Sequence, residues 1–126
     1  MADGSTSTGS GVTSNGTYTP TYTNQLNTTT ISNYSASYIK IGNTVTVYFN
    51  FNITSSSTSG SILMTIPTGA NFTSPYQARG SGTGVNGYVI TSINANSTTQ
   101  KVWMNWQTTA SAGGTDFGGS FQYEAQ

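Results

Sequence analysis

The chain has 126 residues, zero net charge and 5% charged side chains, against about 25% in an ordinary soluble domain. It has no histidine and no cysteine, which excludes a Ser-His-Asp triad, a thiolate nucleophile, a zinc site of the Cys/His kind and a disulfide framework. Its three cations, Lys40, Arg79 and Lys101, cannot displace enough counterions to hold a nucleic-acid backbone, and no apolar run reaches the roughly 20 residues of a membrane helix.

Residues 1–16 are mostly Gly, Ser and Thr, with Val12 the sole branched apolar residue. Such a segment cannot bury enough apolar surface to fold alone. It reads as an N-terminal arm held by a neighbouring subunit or a larger particle, followed by one head domain over 17–126. The first ten residues also lack the basic and apolar regions of a signal peptide.

From Thr17 the period is two. Thr17 to Thr23 alternates Thr with Tyr or Pro, and Pro20, which has no donor for a ladder, makes this an edge strand. Ser37 to Ile41 is a second strand, and Gly42-Asn43 a type II′ hairpin turn. Val45, Val47, Phe49, Phe51 and Ile53 then fall on one face and Thr44, Thr46, Tyr48, Asn50, Asn52 and Thr54 on the other, which predicts a strand with one face in the core. Ser55 to Gly60 reads as a loop. Ser61 to Ile66, apolar on both faces, reads as a central strand stopped by Pro67-Thr68-Gly69.

Residues 68–84 are punctuated by Gly and Ser, with Phe72 and Tyr76 as anchors. Within them Arg79-Gly80-Ser81-Gly82-Thr83-Gly84 lacks the following helix of a phosphate cradle and reads as a mobile loop. Gly87 to Ile93 is a strand, Asn94 to Ser97 a turn, and Thr99 to Gln107 the returning strand. The latter places Val102, Met104 and Trp106 on one face and Lys101, Trp103 and Asn105 on the other. Ala110 to Thr115 is a loop, and Phe117 to Glu124 a last strand with Phe117, Phe121 and Tyr123 as its apolar contacts. Seven to eight short strands without helical periodicity predict an all-β fold, an antiparallel β-sandwich of jelly-roll type. Edges with so few charges invite pairing and point to oligomerisation that covers them.

The carboxylates are Asp3, in the arm, and Asp116 and Glu124, eight residues apart beside one strand. Eight extended residues span up to about 27 Å, whereas a glycosidase pair sits within about 10 Å. No catalytic residue, metal site or cofactor is therefore expected. The ligand-binding candidates are Tyr76, Arg79 and Trp103. Arg79 is the sole arginine, a planar donor fork suited to polar recognition. Tyr76 and Trp103 offer flat apolar faces with a polar handle, as sugar rings and protein interfaces require. Trp103 also admits a second reading, as packing on the other sheet or under a loop.

The ordered set Tyr18-Thr19-Pro20-Thr21, Tyr38-Ile39-Lys40-Ile41-Gly42-Asn43-Thr44-Val45-Thr46-Val47 and Leu63-Met64-Thr65-Ile66-Pro67 resembles the head or tip domains of bacteriophage tail and head fibres, over about residues 18–124. The resemblance implies a non-enzymatic virion protein at the particle surface, homotrimeric, with a β-sandwich in each subunit. Its arm would sit on capsid or other virion proteins, and its exposed loops would meet host surface glycans or simply decorate the capsid. Fibre proteins carry a long shaft before the tip. Here about 17 residues precede the domain, which favours a capsid-attached head fibre, spike or decoration subunit. No ligand motif of the family is matched residue by residue. A bacterial carbohydrate-binding module or adhesin domain is the alternative that shares the Tyr/Trp chemistry.

Overall fold

The computed structural model describes residues 13–85, 87–108 and 113–126. Its strands are β1 (Thr13–Thr17), β2 (Tyr22–Leu26), β3 (Thr28–Ile41), β4 (Thr44–Ser55), β5 (Ser59–Met64), β6 (Ala78–Gly84), β7 (Val89–Asn96), β8 (Lys101–Gln107) and β9 (Gly113–Glu124). They form one antiparallel ladder in the order β1-β3-β4-β9-β6-β7-β8-β5-β2. The all-β, antiparallel, sandwich-like expectation holds.

The sheet is rolled so that its inner face meets itself. Tyr22 on β2 and Phe51 on β4 lie six ladder steps apart, a distance of about 29 Å in a flat sheet, yet their ring centroids are 5.5 Å apart. Two short links close the roll. Tyr18 N donates to Ala36 O at 3.1 Å, and three residues later Thr65 N donates to Thr21 O at 3.1 Å, so the chain passes from one edge of the ladder to the other. Asn27 makes the return in a single residue at φ 58°, a left-handed conformation that Asn tolerates better than most side chains. Its carbonyl accepts from Ser56 N at 2.9 Å and its Nδ2 donates to Ser59 O at 2.8 Å.

The long alternating strand is as expected: Val45, Val47, Phe49, Phe51 and Ile53 are all buried. The Gly42 turn also holds, with φ 61° at Gly42 and no positive φ at Asn43. Three readings are corrected. The single edge strand over 17–23 is two strands on opposite edges, because Pro20, buried between them, interrupts both ladders. β3 begins at Thr28, since the exposed Thr30, Ser32 and Ser35 of its first half need only backbone pairing with β4.

The third correction concerns Arg79 to Gly84, which is strand β6, paired with β9 and β7, and not a mobile loop. Ala78, Gly80, Gly82 and Gly84 alternate along it, and the lack of side chains is what packing there requires. A Cβ on Gly82 would stand 2.6 Å from Gly118 O and 2.8 Å from Ile90 Cδ1, and one on Gly84 2.8 Å from Tyr88 Cβ. The nine strands among the described residues exceed the expected seven to eight for these reasons. β1 takes in residues 13–16 of the segment read as an arm, and the rest of that arm lies outside the described residues.

The core is aromatic. Phe51 meets Phe49 at 5.6 Å and Phe117 at 5.7 Å, and Tyr88 meets Trp106 at 5.8 Å and Phe117 edge-on at 5.6 Å. Trp106, expected in the core with Val102 and Met104, is buried with both of them. Its indole occupies the space that a side chain at Gly60 would need.

Candidate functional site

Tyr76 stands in a short 3-10 turn, Pro75–Gln77, that the local sequence builds tightly. Pro75 presets the first position. Ser74 Oγ accepts from Tyr76 N at 3.2 Å, while Gln77 Oε1 reaches back to Ser74 N at 2.9 Å and Thr73 N at 2.6 Å. This reciprocal cap fixes the turn and leaves the Tyr76 side chain 68% exposed. The chain then enters β6 with Ala78 inward and buried and Arg79 exposed. Arg79 Nε donates to Tyr76 O at 3.3 Å, and its Cζ lies 5.2 Å from the Tyr76 ring centroid. A contact of this kind is worth about 0.5–1 kcal/mol at an exposed site. Two of the three expected residues are thus brought together.

Ladder register places partners around them from distant parts of the chain. Arg79 is opposite Gln122 on β9, Gln122 opposite Thr46 on β4, and Thr46 opposite Ile39 on β3. Gln122 Nε2 donates to Thr46 Oγ1 at 3.0 Å. One step along, Thr44 Oγ1 donates to Glu124 Oε2 at 2.8 Å. Thr44, Tyr76, Arg79, Gln122 and Glu124 together line a cleft of about 230 Å³. Beneath them, Tyr123 OH donates to Thr68 O at 2.9 Å and accepts from Thr68 N at 3.1 Å. Burial pushes this phenol above its ordinary range, against the opposing effect of the Thr68 bonds.

Thr44, Gln122 and Glu124 were not among the residues expected from sequence. They lie more than thirty residues from Arg79, and only the pairing of β4 with β9 and of β9 with β6 brings them there. The outward alternation Ser120, Gln122, Glu124 was the available signal, but it does not name the partner strand.

Trp103 is not part of this cleft. It lies on β8, two ladder steps from β6, opposite Leu63 on β5 and Asn94 on β7. Leu63 shares the outward parity of Ser59 and Ser61, yet it is fully buried and lies outside the interior cluster. Trp103 stands directly across from it and is itself half-buried, while Lys101 Nζ reaches over β5 to Thr23 Oγ1 at 3.4 Å. Trp103 therefore acts as cover for Leu63. Trp103→Ala is expected to cost about 2 kcal/mol through lost apolar burial, measured as a lower urea midpoint. A change below about 0.5 kcal/mol would leave Trp103 as a surface contact only.

Asp116, the other carboxylate of β9, is opposite Asn52 and accepts from Asn52 Nδ2 at 2.8 Å. On the same outward face as Arg79, Ile39, Ile41 and Tyr48 are exposed, and Tyr48 sits diagonal to Ile39 across the β3–β4 pair. No protein-family model matches this chain, and no curated protein or solved structure matches it either.

Proposed function

We propose that this chain is a non-enzymatic bacteriophage virion protein, a homotrimeric head-fibre, spike or decoration subunit at the particle surface that contacts host glycans. The observation that carries this reading is the outward face of β1, β3 and β4. Its rows run Thr17–Ser37–Tyr48 and Asn15–Ile39–Thr46, with Ile41 56% and Tyr48 48% exposed. Those rows carry no charge, so packing them against another copy carries little of the desolvation penalty that charges impose. The charged residues Arg79, Glu124 and Asp116 lie beyond it, on β6 and β9. The fibre-head resemblance over residues 18–124 supports the virion assignment.

Sedimentation of the full chain is expected to give three times the 13.2 kDa monomer mass. Tyr48→Glu, which places a charge on this face, is expected to release monomers. A wild-type monomer at tens of micromolar overturns the trimer. Failure to find peptides of this chain in purified particles overturns the virion assignment. The cleft at Tyr76 and Arg79 also suits the alternative, a bacterial carbohydrate-binding module or adhesin, for which a sugar-binding monomer is the deciding result.

A further inference from the structure

We infer that the cleft between the Pro75–Gln77 turn, β6, β9 and β4 binds a single neutral sugar ring, held by Tyr76, Arg79, Gln122 and Glu124. The inference rests on the surface-recognition reading above and names its ligand class. The four side chains divide the work of holding a polyol. Tyr76 offers an exposed aromatic face for the apolar side of a pyranose. Arg79 spends Nε on the Tyr76 carbonyl, and its two terminal amino groups are fixed donors for hydroxyl oxygens. Glu124 accepts from Thr44 through Oε2, which leaves Oε1 to accept from a hydroxyl. Gln122 donates to Thr46 through Nε2, which leaves its carbonyl oxygen as a second acceptor.

Charge selects within this class. One guanidinium and one carboxylate line the same cleft, so their sum is zero. An acidic sugar meets the Glu124 carboxylate and a basic one meets the Arg79 guanidinium, so a neutral ring avoids a like-charge contact that the others incur. Size selects too. At about 230 Å³ the cleft is smaller than the roughly 300–1,000 Å³ of sites that enclose a drug-sized ligand. It takes one ring, from the end or side of a glycan. The site is preorganised, since its strand residues sit in paired ladders and Tyr76 in a capped turn, so little ordering is needed on binding.

The test is a titration of the full chain, followed by amide chemical shifts, with glucose, galactose, mannose and N-acetylglucosamine. Sialic acid, glucosamine and glycine serve as acidic, basic and zwitterionic competitors. The expected result is saturable millimolar binding of at least one neutral sugar, with shifts centred on Arg79, Gln122 and Glu124. Tyr76→Ala and the isosteric Glu124→Gln are each expected to weaken it tenfold or more. Trp103→Phe, outside the cleft, is expected to leave it unchanged. Both cleft residues are exposed, and matching thermal melts confirm that the variants fold.

Absence of saturation with every neutral sugar, preference for any charged competitor, or shifts centred on Trp103 overturns the inference. The two readings fail separately. A trimer recovered from particles that binds no neutral sugar removes the cleft and leaves the virion assignment. A sugar-binding monomer absent from particles does the reverse.

Discussion

Phe51→Ala is expected to remove about 3–5 kcal/mol of stability, read as a fall of roughly 10–20 °C in melting temperature for a domain of this size. Phe51 is 1% exposed at the point where the roll closes. Its ring meets Phe49 on its own strand, Phe117 on the neighbouring strand, and Tyr22 from the far edge of the ladder. Truncation therefore removes more than transferred apolar area. It opens a cavity that the rings around it cannot fill without moving the strands that carry them, and it loosens the contact that holds β2 against β4. A domain of this kind holds about 5–15 kcal/mol in total, so the loss is a large share. The control lies three residues away. Tyr48 is on the opposite face of the same strand and exposed, and Tyr48→Ala in the monomer is expected to stay within about 0.5 kcal/mol. Equal losses at the two positions would mean that the faces of β4 are not divided as core and surface.

That division was fully legible in the sequence, because it depends on one strand alone. Alternation of apolar and polar residues over 44–54 dictates which side chains point inward, whatever the partners. The roll was legible only in part. Its closure depends on two local events, the passage over the buried Pro20 and the left-handed Asn27, and neither leaves a periodic mark. β6 was concealed by a general association of glycine with loops. What marks it is that its glycines recur every second residue, at 80, 82 and 84, opposite Phe121, Gly119 and Phe117 of β9.

The candidate cleft divides in the same way. Tyr76 and Arg79 were legible because the turn that joins them is three residues long and capped by its own neighbours. Gln122, Glu124 and Thr44 were not, because register between strands far apart in the chain assembles them. Trp103 was singled out for its chemistry, but its half-buried position over Leu63 depends on which strand lies next to β8.

The largest response to solution conditions is expected above pH 10 and nearly none between about pH 5 and pH 9. There is no histidine, and the chain has three Asp and Glu side chains, so few groups titrate through the neutral range. Burial raises the phenols of Tyr18, Tyr22 and Tyr123 above their ordinary value, with Tyr22 and Tyr123 also acting on Tyr18 through their charge. An unfolded tyrosine gives up its proton near pH 10, while these three retain theirs in the folded chain. Above pH 10 the unfolded state therefore binds fewer protons than the native one, and stability falls as pH rises. Below pH 10 both states keep the protons, and the contribution of these groups is fully present.

Each phenol lowers stability by at most about 1.4 kcal/mol per pH unit between its unfolded and folded values. Tyr18 and Tyr22 are only partly buried, and solvent screening reduces their share. Tyr18→Phe separates this effect from packing. At pH 7 it loses the bond that Tyr18 OH donates to Thr65 O at 3.2 Å, and it is expected to be about 1 kcal/mol less stable than the parent. At pH 11 the parent carries the added cost of holding a buried phenol protonated, which the variant does not, so the gap is expected to close or reverse. Urea midpoints at the two pH values measure it. A gap that stays constant from pH 7 to pH 11 would mean that Tyr18 ionises alike in the folded and unfolded chain.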